Sequence, residues 1–161
     1  MLGMLFILAA NATPIPPDST GDHHFQHTLS TTASPETIWS IWTNVERWHE
    51  WDTGLRQAEL KGDFVVGAKG RLLPDKGPKA RFKVVAVEAG QSYTFKTQLP
   101  FGGLYVKRYL EVREGQTFFT HEVWFGGFSG RFFAKRLGAG YRALLPGVLE
   151  KIREMAEGGA S

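Results

Sequence analysis

The chain has 161 residues, a formal net charge of +3, 42% hydrophobic residues and no cysteine. This length and apolar content suit one domain with its own core, and they exclude a disordered or fibrous protein. Without cysteine there is no disulfide framework, thiol nucleophile or zinc–thiolate site. The basic residues are interspersed with acidic ones, so the sequence predicts no nucleic-acid binding.

The N-terminal segment allows two interpretations. Residues 1–10 are apolar, and the small residues at 10–12 resemble a signal-peptide cleavage site. No Lys or Arg precedes Arg47, however, and the apolar run is too short to span a bilayer. We therefore expect a leader and Pro-rich linker over residues 1–22, a domain over 23–158 and a tail over 159–161. A dispensable leader or misplaced start, with a cytoplasmic protein, is favoured over export.

The domain begins with a strand and a short helix. Residues 25–31 alternate in polarity, which predicts a strand. Ser34, Pro35 and Glu36 then supply an N-cap, a proline at the first helical position and an acid in the first turn. The predicted helix continues or bends until residues 52–54 end it.

The central part of the chain is predicted to be strands joined by short turns. The candidate strands are residues 55–60, 69–73, 79–87, 91–99, 105–112 and 116–125. Short connections between alternating segments predict an antiparallel meander.

Residues 130–158 are predicted to form one long amphipathic helix. Its apolar residues recur at steps of three and four, at Phe133, Leu137, Tyr141, Leu144, Val148, Ile152 and Met155. A helix of about 26 residues is about 39 Å long, so a broad curved sheet is needed to cover it. Gly138, Gly140, Pro146 and Gly147 interrupt it, and the resulting bend serves either curvature over the sheet or an opening into a cavity.

The strand register follows from the tight turns. If Arg113 pairs with Gln116 across the intervening turn, Arg108 faces His121 and Lys107 faces Glu122. The inner face is then predicted to carry Tyr93, Phe95, Thr97, Arg108, Leu110, Phe119 and His121, with Phe82, Val84 and Ala86 on the preceding strand. The outer face is predicted to pair Tyr105 with Trp124 and Tyr109 with Thr120.

Three segments resemble a known family: residues 33–39 (ASPETIW), 44–52 (NVERWHEWD) and 119–123 (FTHEV). Together with the order of elements, they resemble the helix-grip fold of the START-like superfamily, and most closely its SRPBCC or polyketide cyclase/dehydrase-like families. The resemblance implies an α+β domain in which a curved antiparallel sheet of six to seven strands wraps one long C-terminal helix, with a short helix pair after the first strand. It also implies an internal cavity for a small hydrophobic molecule.

Arg108 and His121 are the candidate catalytic residues. An inward arginine is costly to bury unless it meets a carboxylate, a carbonyl or an anionic ligand, and a neighbouring histidine could act as acid or base. The alternative is that Arg108 pairs structurally. The predicted cavity residues are Tyr93, Phe95, Thr97, Arg108, Leu110, Phe119, His121, Trp48, Trp51 and Tyr141. For Trp48 and Trp51, packing of the short helices is favoured over a role at the cavity mouth.

Three functions stay open at this stage: a carrier of a small hydrophobic ligand, a polyketide cyclase or dehydratase, and an interaction module. The absence of a second inward carboxylate in the predicted site favours binding. No metal site or cofactor is predicted, because the histidines at 23, 24 and 27 lack the spacing of a zinc site and better mark an exposed start of the first strand. The expected partner is a small hydrophobic ligand, with no membrane span, in a monomer or homodimer.

Overall fold

The computed structural model describes residues 21–158, so the apolar leader and the tail lie outside the described residues. Seven antiparallel strands form one sheet in the order β1-β7-β6-β5-β4-β3-β2. Their bounds are β1 His24–Thr31, β2 Leu55–Lys61, β3 Lys69–Pro74, β4 Ala80–Glu88, β5 Ser92–Leu99, β6 Gly102–Arg113 and β7 Gln116–Gly127. The predicted meander is confirmed, and β1 closes it by pairing with β7.

The helix pair after β1 consists of α1, Pro35–Thr43, and a 3₁₀ helix, Val45–Glu50. The Ser34 hydroxyl caps α1 by accepting a hydrogen bond from the Thr37 amide at 3.2 Å. Apolar side chains of both helices, including Ile38, are buried against the sheet. Local capping therefore starts the helix, and burial of its apolar face holds it in place.

The C-terminal helical segment has three parts: α2 Gly130–Phe133, a π-helical stretch Ala134–Gly138 and α3 Ala139–Gly158. The predicted interruption therefore falls at the end of the π-helical stretch, whereas Pro146 lies inside α3. At position 138 any side chain would clash, because a Cβ there would lie 2.1 Å from the backbone oxygen of Asp22. The close approach of the chain before β1 thus requires glycine.

The predicted register is confirmed across β6 and β7, where Arg108 pairs with His121 and Lys107 with Glu122. The prediction for Ala86 is wrong. A β-bulge shifts the pairing between Val84 and Ala86, so Ala86 is exposed and the following residue packs against the core instead. Such a bulge adds one residue to a strand and reverses the facing of every residue beyond it.

The outer face of the sheet carries the predicted aromatic pair. The rings of Tyr105 and Trp124 are stacked at 5.2 Å with an interplanar angle of 3°. Glu122 bonds the imidazole of His24 at 2.6 Å. Within residues 21–158, no helix is long and apolar enough to cross a membrane.

Candidate ligand-binding site

A row of polar side chains crosses four neighbouring strands on the inner face. Tyr93 of β5 pairs with Arg108 of β6, which pairs with His121 of β7, which pairs with His27 of β1. Tyr93, Arg108 and His121 are each at most 3% exposed. Because side chains alternate along a strand, this row can lie within an otherwise apolar face.

The guanidinium of Arg108 lies within a cage of aromatic rings. Its Cζ is 4.6 Å from the centre of the Trp48 ring, 4.7 Å from Trp51 and 5.1 Å from Phe95. A desolvated cation gains up to about 2 kcal/mol from one such ring face. Trp48 and Trp51 are fully buried, so they pack the 3₁₀ helix as expected and also cover the cation.

Direct hydrogen bonds to Arg108 are few. Its Nη1 donates to the Tyr93 hydroxyl, which in turn donates to the backbone oxygen of Trp42 at 3.1 Å. Burial raises the pKa of Tyr93 to about 12, partly offset by Arg108. Among residues 21–158, no carboxylate forms an ion pair with Arg108.

Four buried side-chain nitrogens in the described part of the chain have no hydrogen-bond partner, and they cluster around this cage. They are the indole nitrogens of Trp42 and Trp51, Nε of Arg108 and Nε2 of His121. The ring centroid of His121 lies 5.6 Å from Trp42 and 6.0 Å from Trp51. Buried polar groups are nearly always bonded in native proteins, so such a cluster of unpartnered nitrogens requires an explanation.

His121 is neutral in this environment. Burial holds its pKa well below the usual 6.5, and the neighbouring Arg108 cation lowers the pKa further. A neutral imidazole can accept a proton, and Nε2 is not engaged by any described residue.

Asp52 is a site residue that the sequence reasoning missed. The sequence predicts Asp52 in the turn that ends the helix pair, yet its side chain lines the same cavity as Arg108 and His121. Burial raises the pKa of its carboxyl, against the lowering effect of Arg108 and of the Gly54 amide, which donates to it at 3.0 Å. The expectation of no second carboxylate is therefore wrong. Its position directly after Trp51, an apolar residue expected to pack in the core, was the sequence feature that could have indicated a buried carboxyl.

The cavity between the sheet and α3 has a volume of about 100 Å³. Six of the predicted residues line it: Trp48, Phe95, Thr97, Arg108, His121 and Tyr141. The other four, Trp51, Tyr93, Leu110 and Phe119, lie outside its lining. The rings of Trp51 and Tyr93 instead contact the Arg108 guanidinium. The ring centroids of Phe119 and Trp42 lie 6.4 Å apart.

The cavity opens between α3 and the start of β2. Tyr141 and Leu144 of α3 line it and remain 41% and 40% exposed, and Gly54 and Leu55 lie on the opposite side. Partial burial and the nearby Asp52 carboxylate raise the pKa of the Tyr141 hydroxyl. The mouth therefore combines apolar side chains with the Tyr141 hydroxyl and the nearby Asp52 carboxyl, whereas Arg108 and His121 contribute a guanidinium and an imidazole to the lining.

Three other features of the described residues bear on ligands. No group of three metal-ligating side chains lies together within residues 21–158. His27 is half-buried opposite His121, so the expectation that all the early histidines are exposed is wrong for this residue. An open hollow of about 1190 Å³ also lies over β2–β5, and its lining includes Lys69 and Lys83, which pair across β3 and β4.

One family model matches nearly all of the described residues. The model of the family described as polyketide cyclase / dehydrase and lipid transport matches residues 22–156. The chain belongs to this family. The predicted SRPBCC membership is thereby confirmed. No curated protein matches the chain.

Solved structures share the fold at low sequence identity. A protein from Arthrobacter aurescens is 19% identical, with a TM-score of 0.67, and the match covers 91% of this chain and 94% of that one. The Aha1 dimer from Colwellia psychrerythraea is 20% identical, with a TM-score of 0.63 and coverage of 86% and 98%. Norcoclaurine synthase from Thalictrum flavum, in complex with dopamine and hydroxybenzaldehyde, is 14% identical, with a TM-score of 0.63 and coverage of 86% and 88%. They share the helix-grip fold with this chain.

Proposed function

We propose that the protein binds a small apolar molecule, aromatic or acyl, with one negatively charged or strongly polarised oxygen directed at Arg108. The observation that carries the proposal is the cluster of buried nitrogens without partners around an arginine that has no paired carboxylate. Of these residues Arg108 and His121 line the cavity, so an oxygen placed there would accept from the guanidinium and, where Nε2 carries the proton, from the imidazole. Hydrogen bonds of this charge-assisted kind are about twice as strong as neutral ones.

The size of the cavity limits the ligand. A dry apolar cavity of about 150 Å³ holds a benzene molecule, and this one measures about 100 Å³. This volume is smaller than the cavity that holds benzene, so a short acyl segment fits as the structure stands, and a single ring must extend into the mouth or displace α3 slightly. A longer molecule would leave through the mouth beside Tyr141 and Leu144.

The comparisons support a small-molecule ligand. The description of the family includes polyketide cyclases, dehydrases and lipid transport. The norcoclaurine synthase structure contains dopamine and hydroxybenzaldehyde, which are single-ring aromatic molecules. The oligomeric state stays a prediction of monomer or homodimer, with the dimer known for the Colwellia protein.

The proposal is tested by native mass spectrometry of the purified protein and by calorimetric titration. Benzoate and benzamide form a matched pair, because they differ in charge but hardly in shape. We expect benzoate to bind more tightly and Arg108→Met to remove the difference, with Arg81→Met on the outer face as control. Absence of any co-purified compound together with equal, weak binding of both probes would overturn the proposal.

A second candidate, an acid–base enzyme, is favoured by the neutral imidazole and the Asp52 carboxyl in one cavity. A C–H bond next to a carbonyl would break, the proton would pass to Nε2 of His121, and Arg108 would hold the enolate oxygen. Exchange of the methyl protons of acetophenone in deuterated water tests this activity by NMR. If the wild type exchanged these protons no faster than His121→Phe, the enzyme candidate would be rejected and the binding function would remain.

A further inference from the structure

Two turns at one end of the sheet are locked together. The Ser129 hydroxyl donates to the backbone oxygen of Pro100 at 2.5 Å, and its amide donates to the backbone oxygen of Phe101 at 3.3 Å. A Cβ at Gly127 would lie 2.6 Å from the Cα of Gly102, so the two backbones touch where only glycine fits. The β5–β6 turn and the β7–α2 turn therefore form one rigid unit.

This unit projects aromatic rings into solvent. Phe101 is 84% exposed, Phe128 97% and Phe132 of α2 61%. Phe101 also has a φ of 56°, in the left-handed region that a bulky residue rarely adopts. The locked turn accounts for this backbone conformation, but the ring is 84% exposed, so packing does not account for a phenylalanine at a position that glycine or asparagine would adopt more readily. We call Phe101, Phe128 and Phe132 the aromatic tip.

The charge around the aromatic tip is predominantly positive. Asp22 packs against Gly138 and pairs with Arg142 at 3.4 Å, farther along the helical segment. The segments 89–110 and 123–149, which form the two turns and the following helix, contain no Asp or Glu. Arg131, Lys135 and Arg136 are all exposed just after the second turn. Elsewhere in the domain basic and acidic residues alternate, so this end carries a local positive field.

We propose that the aromatic tip is a docking site for an anionic lipid surface. Aromatic rings partition into the boundary between headgroups and acyl chains, and nearby Lys and Arg side chains are attracted to anionic headgroups. Rings that are 84% and 97% exposed stand clear of the surface and suit insertion. Docking does not require the cavity to bind a ligand, so the two proposals fail separately.

Flotation with vesicles tests the docking, using phosphatidylcholine with and without phosphatidylserine. We expect binding only with phosphatidylserine. Phe101→Asn and Phe128→Ser should each weaken it about tenfold, which corresponds to the loss of one buried aromatic side chain. Asn adopts the left-handed conformation more readily than Phe, so the first substitution should leave the melting temperature unchanged or raised. All variants retain the apolar residues 1–10, so differences report on the tip.

A charge-matched control separates docking from general attraction. Lys135→Glu with Arg136→Glu changes the net charge as much as Lys69→Glu with Lys83→Glu in the outer hollow. We expect the first pair to weaken binding about fivefold or more per residue and the second pair to have a much smaller effect. Equal losses would overturn the proposal, as would wild-type binding that is absent or insensitive to the phenylalanine substitutions.

Insertion can be read directly because the chain has no cysteine. Phe128→Cys and the control Val66→Cys, 60% exposed in the β2–β3 turn, each accept one environment-sensitive fluorophore. Anionic vesicles should increase and blue-shift the emission at position 128 and leave position 66 unchanged. An unchanged signal at 128, or the same change at both positions, would overturn insertion of the tip.

Discussion

Replacing Arg108 with methionine separates the stability of the domain from its proposed function. Methionine has a similar length and fills the space between Trp48 and Trp51 without a charge. Tyr93 keeps its own hydrogen bond to the backbone oxygen of Trp42, so the substitution leaves no new unbonded hydroxyl. It therefore removes the cation together with its hydrogen bond to Tyr93 and its effect on the pKa of Asp52.

The expected change in stability is small and favourable. In the native protein the cation gains about 1.5–3 kcal/mol from its bond to Tyr93 and up to about 2 kcal/mol from each of the two close indole rings. Against this stands a desolvation cost of several kcal/mol for a buried ion without a paired carboxylate. A buried methionine contributes about 1.5–3 kcal/mol by its apolar area. We expect the free energy of unfolding to stay equal or to rise by up to about 2 kcal/mol.

Urea denaturation and thermal melting measure this change, with about 3 °C expected for each kcal/mol. Benzoate binding should fall about tenfold to a hundredfold in the same variant, since a charged hydrogen bond is lost. Arg81→Met on the outer face should change neither quantity appreciably. A loss of several kcal/mol in Arg108→Met would refute the reasoning, because the arginine would then be a structural element that the aromatic cage stabilises.

Three further predictions concern titration and packing. The pKa of His121 is depressed in the folded protein, so on acidification the unfolded chain takes up this proton first. The free energy of unfolding should therefore fall below about pH 6.5, by at most about 1.4 kcal/mol per pH unit. Urea denaturation across pH should show this loss in the wild type and not in His121→Phe. The raised pKa of Asp52 has the opposite effect, because protonation of this carboxyl on acidification stabilises the folded state. Asp52→Asn should therefore be at least as stable as the wild type at pH 7 and should lack the stability that the wild type gains on acidification. A less stable variant at pH 7 would contradict burial as the cause of the raised pKa. Gly138→Ala should lower the free energy of unfolding by about 1–3 kcal/mol, because the added Cβ would clash with the backbone of Asp22. Gly140→Ala should raise the free energy of unfolding by about 0.5–1 kcal/mol, because its Cβ meets nothing within 4 Å. Equal melting temperatures of the two variants would be inconsistent with this packing.

Much of the sheet was predictable because its determinants are local. The turn at Glu114 and Gly115 places Arg113 opposite Gln116, and the period of two along each strand then fixes Arg108 against His121. The bulge after Val84 was not predictable, because an extra residue in one strand leaves the pattern of apolar residues plausible on either side.

The site was predictable only in part. Arg108 and His121 share a hairpin, so the sequence brings them together. Asp52 and Trp48 reach the same place only because the 3₁₀ helix folds against β2. The sequence shows which residues are available for such contacts, and the packing of loops decides which of them meet.

The sequence by itself determined the class of the fold, the strand register near the hairpins and the family, since these depend on local periodicity, turns and short motifs. Only the tertiary structure decided that the buried arginine lies among aromatic rings without a paired carboxylate, that the cavity holds no more than one ring, and that three phenylalanines stand together in solvent. These features arise from contacts between segments distant along the chain, and no local pattern specifies them.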